Sequence, residues 1–262
     1  MRRRNALAAP ILLSAIVLVL QSAPSPGACP DATQDIATDR PSVTNSSSVV
    51  PAASLQTENG VDWTSRAGQD VLDGPDTRMR LGLGGCTELL IDLPDYLGGV
   101  SGHGPSGFSS VAPAFKHQFD DLPVGTTLSV TAGLTLPTGA VRISGSGYNP
   151  YLQFPWTQDL GDGWTAGGML STTWLTGRPQ SATVVQPSFL IDRQVSAHAD
   201  IFAEYIGDFQ NRGLPAEALN FGGSYRLTST QQIDFHAGFG LNRQASNYFV
   251  GIGYSLRFDG LW

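Results

Sequence analysis

Residues 232–258 constrain the fold more than any other stretch of the chain. From Ile233 the apolar residues take every second position, as Ile233, Phe235, Ala237, Phe239 and Leu241, with Asp234, His236, Gly238 and Gly240 between them. After a polar break at 242–247 the alternation resumes as Tyr248, Val250, Ile252, Tyr254, Leu256 and Phe258, interleaved with Gly251, Gly253, Ser255 and Arg257. A period of two places successive side chains on opposite faces of a strand, and so short a break joins two strands into a hairpin. A soluble sheet would carry Lys, Glu and Thr on its second face. Here that face is glycine with isolated charges, while the apolar face runs unbroken, the pattern of a wall with lipid outside and a crowded polar lumen inside.

The same period recurs upstream, giving alternating segments at 54–65, 76–84, 86–94, 109–120, 126–137, 149–158, 163–175, 181–194, 198–207, 217–228, 231–241 and 247–258. Most have the length of a tilted spanning strand, about nine residues or more. The breaks form a second pattern. Those at 84–85, 121–125, 159–162, 195–197 and 229–230 are short; the alternate ones, at 66–75, 95–108, 138–148 and 208–216, are long and rich in Gly, Pro and Asp, with 176–180 and 242–246 as shorter members. Short periplasmic turns and long outer loops are the layout of an outer-membrane barrel, whereas a soluble sandwich has no reason to alternate. Trp63, Tyr96, Trp174 and Tyr248 fall near the outer strand ends, and Phe119, Trp156, Trp164 and Phe258 near the inner ends, as two interfacial girdles. Hydrophobic content of 41% and a mean hydropathy of -0.05 do not argue against this, because alternation halves the membrane signal of each strand. The expected fold is all-β: one antiparallel transmembrane barrel of about twelve strands in meander order, covering 54–262, surrounded by lipid in the outer membrane of a Gram-negative bacterium.

Ahead of it, residues 1–28 combine Arg2, Arg3 and Arg4 with an apolar run from Ala6 to Leu20 and then small residues and prolines, as in a cleaved secretory signal. Residues 29–53, rich in Ser, Thr, Pro and Ala, read as a flexible periplasmic leader or a partial plug. Cys29 and Cys86 are the two cysteines; a disulfide, two separate thiols, or acylation of Cys29 are all compatible with a periplasmic setting. A net charge of -7 with no basic tract argues against a nucleic-acid partner.

The positions out of phase with the lipid face define the lumen. Candidates are Glu58, Arg78, Arg80, Glu88, Asp92, Lys116, Asp200, Glu204, Arg226, Asp234, His236 and Arg257, joined by Gln56, Asp62, Gln118, Asp120, Ser129, Thr131, Gln186, Ser188 and Asp192. Both signs fall on neighbouring strands, with Glu58 beside Arg78, Arg80 beside Glu88, and Arg257 near Gln56 and Glu58 if the barrel closes. Two readings stand side by side: ion pairs that fill a narrow barrel, or charges that line a permeation path. No enzyme motif accompanies them. Gly82, Gly84 and Gly85 are not followed by a helix, and His103, His117, His198 and His236 are scattered without metal spacing, so no catalytic residue, metal or cofactor is expected. His117 alone falls on the lipid face, between Phe115 and Phe119.

Several short motifs resemble one family. Thr38-Asp39-Arg40-Pro41 followed by 42–46, then 55–60, 77–81 with 88–90, 116–119, 202–205 and the closing hairpin from Gln232 to Phe258, resemble in order and spacing the outer-membrane transporter family named for the meta pathway of phenol degradation. The resemblance runs from about Ala37 onward. It implies an outer-membrane transporter linked by name to aromatic compounds. It also marks Asp39 and Arg40 as plug candidates that pair with wall charges in the lumen or at the periplasmic mouth. Tyr254 to Phe258 resembles the signal read by the barrel assembly machinery, except that residues 259–262 follow it. The function expected is passive uptake of small solutes, hydrophobic or aromatic ones included. The alternatives are a structural or adhesive barrel with a plugged lumen, and a lipid-acting enzyme needing His117 and a Ser on one outward face.

Overall fold

The computed structural model describes residues 29–100, 106–119, 122–123, 125–177, 181–211 and 213–262. The expected signal segment at 1–28, and with it His103, Asp120 and Asp121, lie outside the described residues. Among the described residues the chain forms β1 (Leu55–Arg66), β2 (Gln69–Gly74), β3 (Arg78–Gly84), β4 (Thr87–Asp92), β5 (Tyr96–Gly99), β6 (Gly107–Phe108), β7 (Ala112–Phe119), β8 (Thr126–Thr135), α1 (Val141–Ser144), β9 (Asn149–Gly161), β10 (Trp164–Leu175), β11 (Ala182–Gln194), β12 (Ala199–Gln210), β13 (Ala216–Thr228), β14 (Gln231–Gly240) and β15 (Tyr248–Phe258). Twelve of the fifteen strands, all but β2, β5 and β6, follow one another as an antiparallel meander, and β15 returns to pair with β1. That last pairing runs from Leu55↔Phe258 to Ser65↔Tyr248 and closes the barrel, leaving no free edge in the wall.

The burial pattern is that of a membrane wall. Phe115, Leu170, Phe189, Ile201, Phe235 and Ile252 point outward and are left uncovered by protein, whereas Arg80, Lys116, Glu58, Glu88 and Glu204 are fully buried inside. In water that distribution would be unstable. In hydrocarbon it is favoured, since one Arg or Lys on the lipid face near the midplane costs about 2–4 kcal/mol.

The outer breaks at 66–75 and 95–108, expected as loops, contain the three extra strands. β3 and β4 are short, at 7 and 6 residues, so above them the wall is completed by other segments. β2 pairs with the outer half of β1 from Asp62↔Asp73 to Arg66↔Gln69, β5 pairs with β2, and β6 with β5. Ala140 at the start of α1 donates its N–H to the Phe108 carbonyl and continues the wall toward β8. β5 and β6 carry too few residues to display a period, and β2, with Val71 and Leu72 adjacent, does not alternate, which is why the sequence pattern passed over them.

Residues 36–54 run inside the barrel as a partial plug, and 29–35 lie at its short-turn end. Cys29 is bonded to Cys86 in the β3–β4 turn, Cα–Cα 4.9 Å. From there the segment climbs past the β13–β14 turn, where the Ile36 N–H donates to the Ser229 carbonyl. It reaches β1 at Asp39 and Arg40, crosses the lumen to β11 and β12 at Thr44, follows β9 at Asn45 and Ser47, and meets β7 and β4 at Val49 and Val50. It leaves beside β3, where the Ala53 N–H donates to the Gly82 carbonyl and the Gly82 N–H to Ser54.

Candidate functional site

An irregular segment buried in a barrel has no ladder to satisfy its backbone N–H groups, so the wall must do it. Three wall carboxylates take this role. Glu58 accepts from the N–H of Asp39 and Arg40 (2.9 and 3.1 Å), Glu204 from the N–H of Val43 and Thr44 (3.0 and 2.7 Å), and Glu88 from the N–H of Val50 at 2.6 Å. The Thr44 hydroxyl also donates to Glu204 at 2.7 Å, and Gln118 accepts the Val49 N–H. The bonds to the three carboxylates are charge-assisted, about twice as strong as neutral ones.

Glu58 and Glu88 are balanced by cations from β3 and β7, whereas Glu204 is met by the Asn220 amide. Arg80 donates to Glu58 (3.0 Å) and Glu88 (2.9 Å), and also to the plug carbonyls of Ala37 and Ser48. Lys116 donates to the carbonyls of Ser46 and Ser48. Arg78 forks onto Asp92 and reaches Asp39 at 2.8 Å. Burial opposes ionisation of Asp39, but Arg80, Lys116 and Arg78 outweigh it and hold the carboxyl well below the usual carboxylate range. The Ser46 N–H donates to the same group.

Arg40 occupies a slot built by glycine. Gly60 on β1 faces Gly253 on β15, and a Cβ on either would overlap the Arg40 side chain. Three carboxylates surround the guanidinium: Asp76 at 2.7 Å, Asp62 at 3.4 Å and Asp234 at 3.5 Å, the last with a side chain of 0% exposure. His236 closes the slot, its Nε2 at 2.7 Å from Asp62 and its Nδ1 at 3.2 Å from the Asn220 side chain. Arg40 of the quoted motif is thus fixed to the β15–β1 junction, while the Asp39 side chain beside it faces the cations of β3 and β7.

The remaining sequence candidates lie nearer the periplasmic end. Arg226 stands 3.4 Å from Asp200 and 3.5 Å from Asp35 of the plug. Arg257 lies opposite Gln56 in register, but its carboxylate partner is Asp259 at 2.8 Å rather than Glu58. Glu58 is engaged by Arg80 and the plug, so Arg257 turns to the rim. His117 points outward with Thr87 as its partner, Oγ1 to Nδ1 3.0 Å.

Above the plug, at the long-loop end, the barrel holds a cavity of about 640 Å³. Its floor is Asp39 to Asn45. Eight carboxylates line it, Asp39, Glu58, Asp62, Asp73, Asp76, Asp92, Asp95 and Asp208, against three arginines, Arg40, Arg66 and Arg78. Among the described residues Asp73, Asp95 and Asp208 form no ion pair. One wall is apolar, with Ile206, Ala216, Ala218, Ala245 and Phe249. Asp73, Asp76, Asp95 and Asp208 were not among the sequence candidates, because they lie in or beside outer breaks whose aspartates read as turn residues. Phe249 and Gly253 were available from the alternation of β15, which puts them on the inner face.

An outer-membrane channel from Pseudomonas putida F1 has a similar structure, with a TM-score of 0.59 at 14% identity over 80% of this chain and 97% of that one. The porin NanC gives 0.54 at 11% identity over 77% and 98%. The porin KdgM, crystallised with disordered oligogalacturonate, gives 0.54 at 9% identity over 78% and 99%. These likenesses concern the fold, an outer-membrane barrel. No curated protein sequence matches the chain. Residues 38–258, which hold the Asp39-Arg40 motif, the plug crossing and all twelve spanning strands, match the family described as "Putative MetA-pathway of phenol degradation", and the chain belongs to that family.

Proposed function

We propose that this barrel is a passive outer-membrane channel for small organic solutes, aromatic ones included, and that it favours cations over anions. The observation that carries this is the vestibule: about 640 Å³ inside a closed barrel, with eight carboxylates against three arginines and an apolar wall of Ile206, Ala216, Ala218 and Phe249. A cleft of one charge sign with low-dielectric walls concentrates counter-ions, and rings of Asp and Glu select cations in pores. The apolar wall gives a ring-bearing solute a surface to lie on while it is inside. The family description, which names phenol degradation, supports the aromatic part of the reading.

Transit also requires passing the plug. Its tip, Thr44 to Ser47, spans from β12 to β9, held on one side by Glu204 and Ser188 and on the other by Gln153 and Thr157. In this reading the tip is the gate, and Glu204 sets how often it lifts. The test is a planar bilayer recording under a KCl gradient, for the wild type and for Glu204→Ala. The expected result is a reversal potential on the cation side and a higher open probability in the variant. Anion selectivity would refute the selectivity. Absence of conductance in both proteins would refute the channel and favour a barrel plugged for structural or adhesive use.

A further inference from the structure

The four residues that follow β15 fold back across the barrel junction rather than trailing from it. The Leu261 N–H donates to the Ala53 carbonyl at 2.8 Å. Asp259 accepts from the Ser54 hydroxyl at 2.7 Å, on the residue leading into β1, and from Arg257 at 2.8 Å, on the last strand. One carboxylate therefore ties together the two strands whose pairing closes the wall. The Arg257 side chain is 1% exposed, and Asp259 is its only carboxylate partner among the described residues. The Arg257 Nη2 also donates to Asp259 at 3.2 Å and, toward the inside, to the carbonyls of Ala32 (3.1 Å) and Gln34 (2.9 Å) on the incoming arm of the plug.

We propose that Asp259 is a latch that couples barrel closure to plug seating. Arg257 can grip the incoming arm only when its guanidinium is held in one pose. That pose needs Asp259, and Asp259 is fixed in place by Ser54 and by the Leu261–Ala53 bond, which exist only when the first and last strands are side by side. A barrel whose wall is not yet closed would thus hold its plug loosely, and closure would tighten it. The planar guanidinium suits this use, since a carboxylate held by Nε and Nη2 fixes the direction of the remaining Nη2 hydrogen, which serves the arm.

The test is hydrogen exchange at the Ile36 amide, which donates to Ser229 next to the gripped arm, in protein folded in detergent micelles. Neither Asp259 nor Ser54 bonds the arm directly. In Asp259→Asn and Ser54→Ala the Ile36 amide is expected to exchange at least about tenfold faster, while β1 and β15 keep their protection and the barrel keeps its heat-modifiable migration. Asp259→Glu, which keeps the charge, should recover much of the protection. Unchanged exchange at Ile36 in both variants would overturn the proposal, leaving the arm held by its disulfide and wall contacts alone. Loss of the folded band in Asp259→Asn would overturn it too, because Asp259 would then belong to wall closure itself rather than to a link between wall and plug.

Discussion

Replacing Glu204 by alanine isolates the hold that the wall has on the plug tip. The carboxylate accepts the N–H of Val43 and Thr44 and the Thr44 hydroxyl, at 3.0, 2.7 and 2.7 Å, and is steadied by the Asn220 side chain at 3.0 Å. A hydrogen bond to a charged group contributes about 1.5–3 kcal/mol. Three of them do not add fully, because the freed donors find water in a polar lumen, so a loss of about 3–4 kcal/mol is expected at the tip. At about 1.4 kcal/mol per factor of ten, the lifted state gains roughly two to three orders of magnitude in population. Amide exchange reads this directly: Val43 and Thr44 should exchange faster by that factor, since local opening exposes them without unfolding the barrel. Val49 and Val50, bonded to Gln118 and Glu88 on the opposite wall, should keep their rates. Equal acceleration at all four amides would mean that the plug leaves as one body. No acceleration at Val43 and Thr44 would mean that Glu204 does not carry the tip. Either result refutes the reasoning.

Further outcomes follow from the same contacts. Arg40→Ala leaves the Asp234 carboxylate, with its side chain at 0% exposure, without a cation; stability should fall by about 3–5 kcal/mol in urea titration of the folded band, and adding Asp234→Asn should restore part of it. Because the Asp39 carboxyl is held well below the usual range, its contribution is complete above the ordinary carboxylate value of about 4 and is lost only as pH falls through that value toward the lower folded one. Protection of the Ser46 amide, corrected for intrinsic rate, should therefore match at about pH 7.5 and about pH 5, and a loss between them would contradict that placement. Asp95→Asn and Asp208→Asn together remove two vestibule carboxylates that have no ion-pair partner among the described residues, and should move the reversal potential toward zero; an unchanged potential would put the selectivity elsewhere.

Much of the wall could be read from the chain because a lipid-facing strand has to alternate. β9 to β15, most of them long and each buried on one face only, display that period plainly, and their aromatic ends mark the interfaces. β5 and β6 have too few residues to show a period, and β2 has Val71 and Leu72 side by side instead of alternating. The plug was harder for another reason. Its Ser and Thr residues look like those of a solvated leader, and nothing local distinguishes a hydroxyl that meets water from one that meets Ser188 or Thr157. The burial of Glu204 has the same origin, since it is bonded mainly by Val43 and Thr44 of a segment without period, whereas Glu58 and Glu88 also meet Arg80 on the neighbouring strand. Arg257 illustrates the limit for ion pairs: alternation places it opposite Gln56, but the choice of Asp259 over Glu58 depends on what else has already claimed Glu58.

The Cys29–Cys86 bond has a kinetic consequence for such a tip. It fixes the start of the plug to one periplasmic turn, while Ala53 and Ser54 fix its other end to β3. A segment tethered at both ends that leaves its seat remains at a millimolar-scale effective concentration of itself, so recapture is intramolecular and fast. Openings of this lumen should then be frequent and brief, a flicker whose mean dwell is set by reseating, rather than long intervals separated by ejection of the plug.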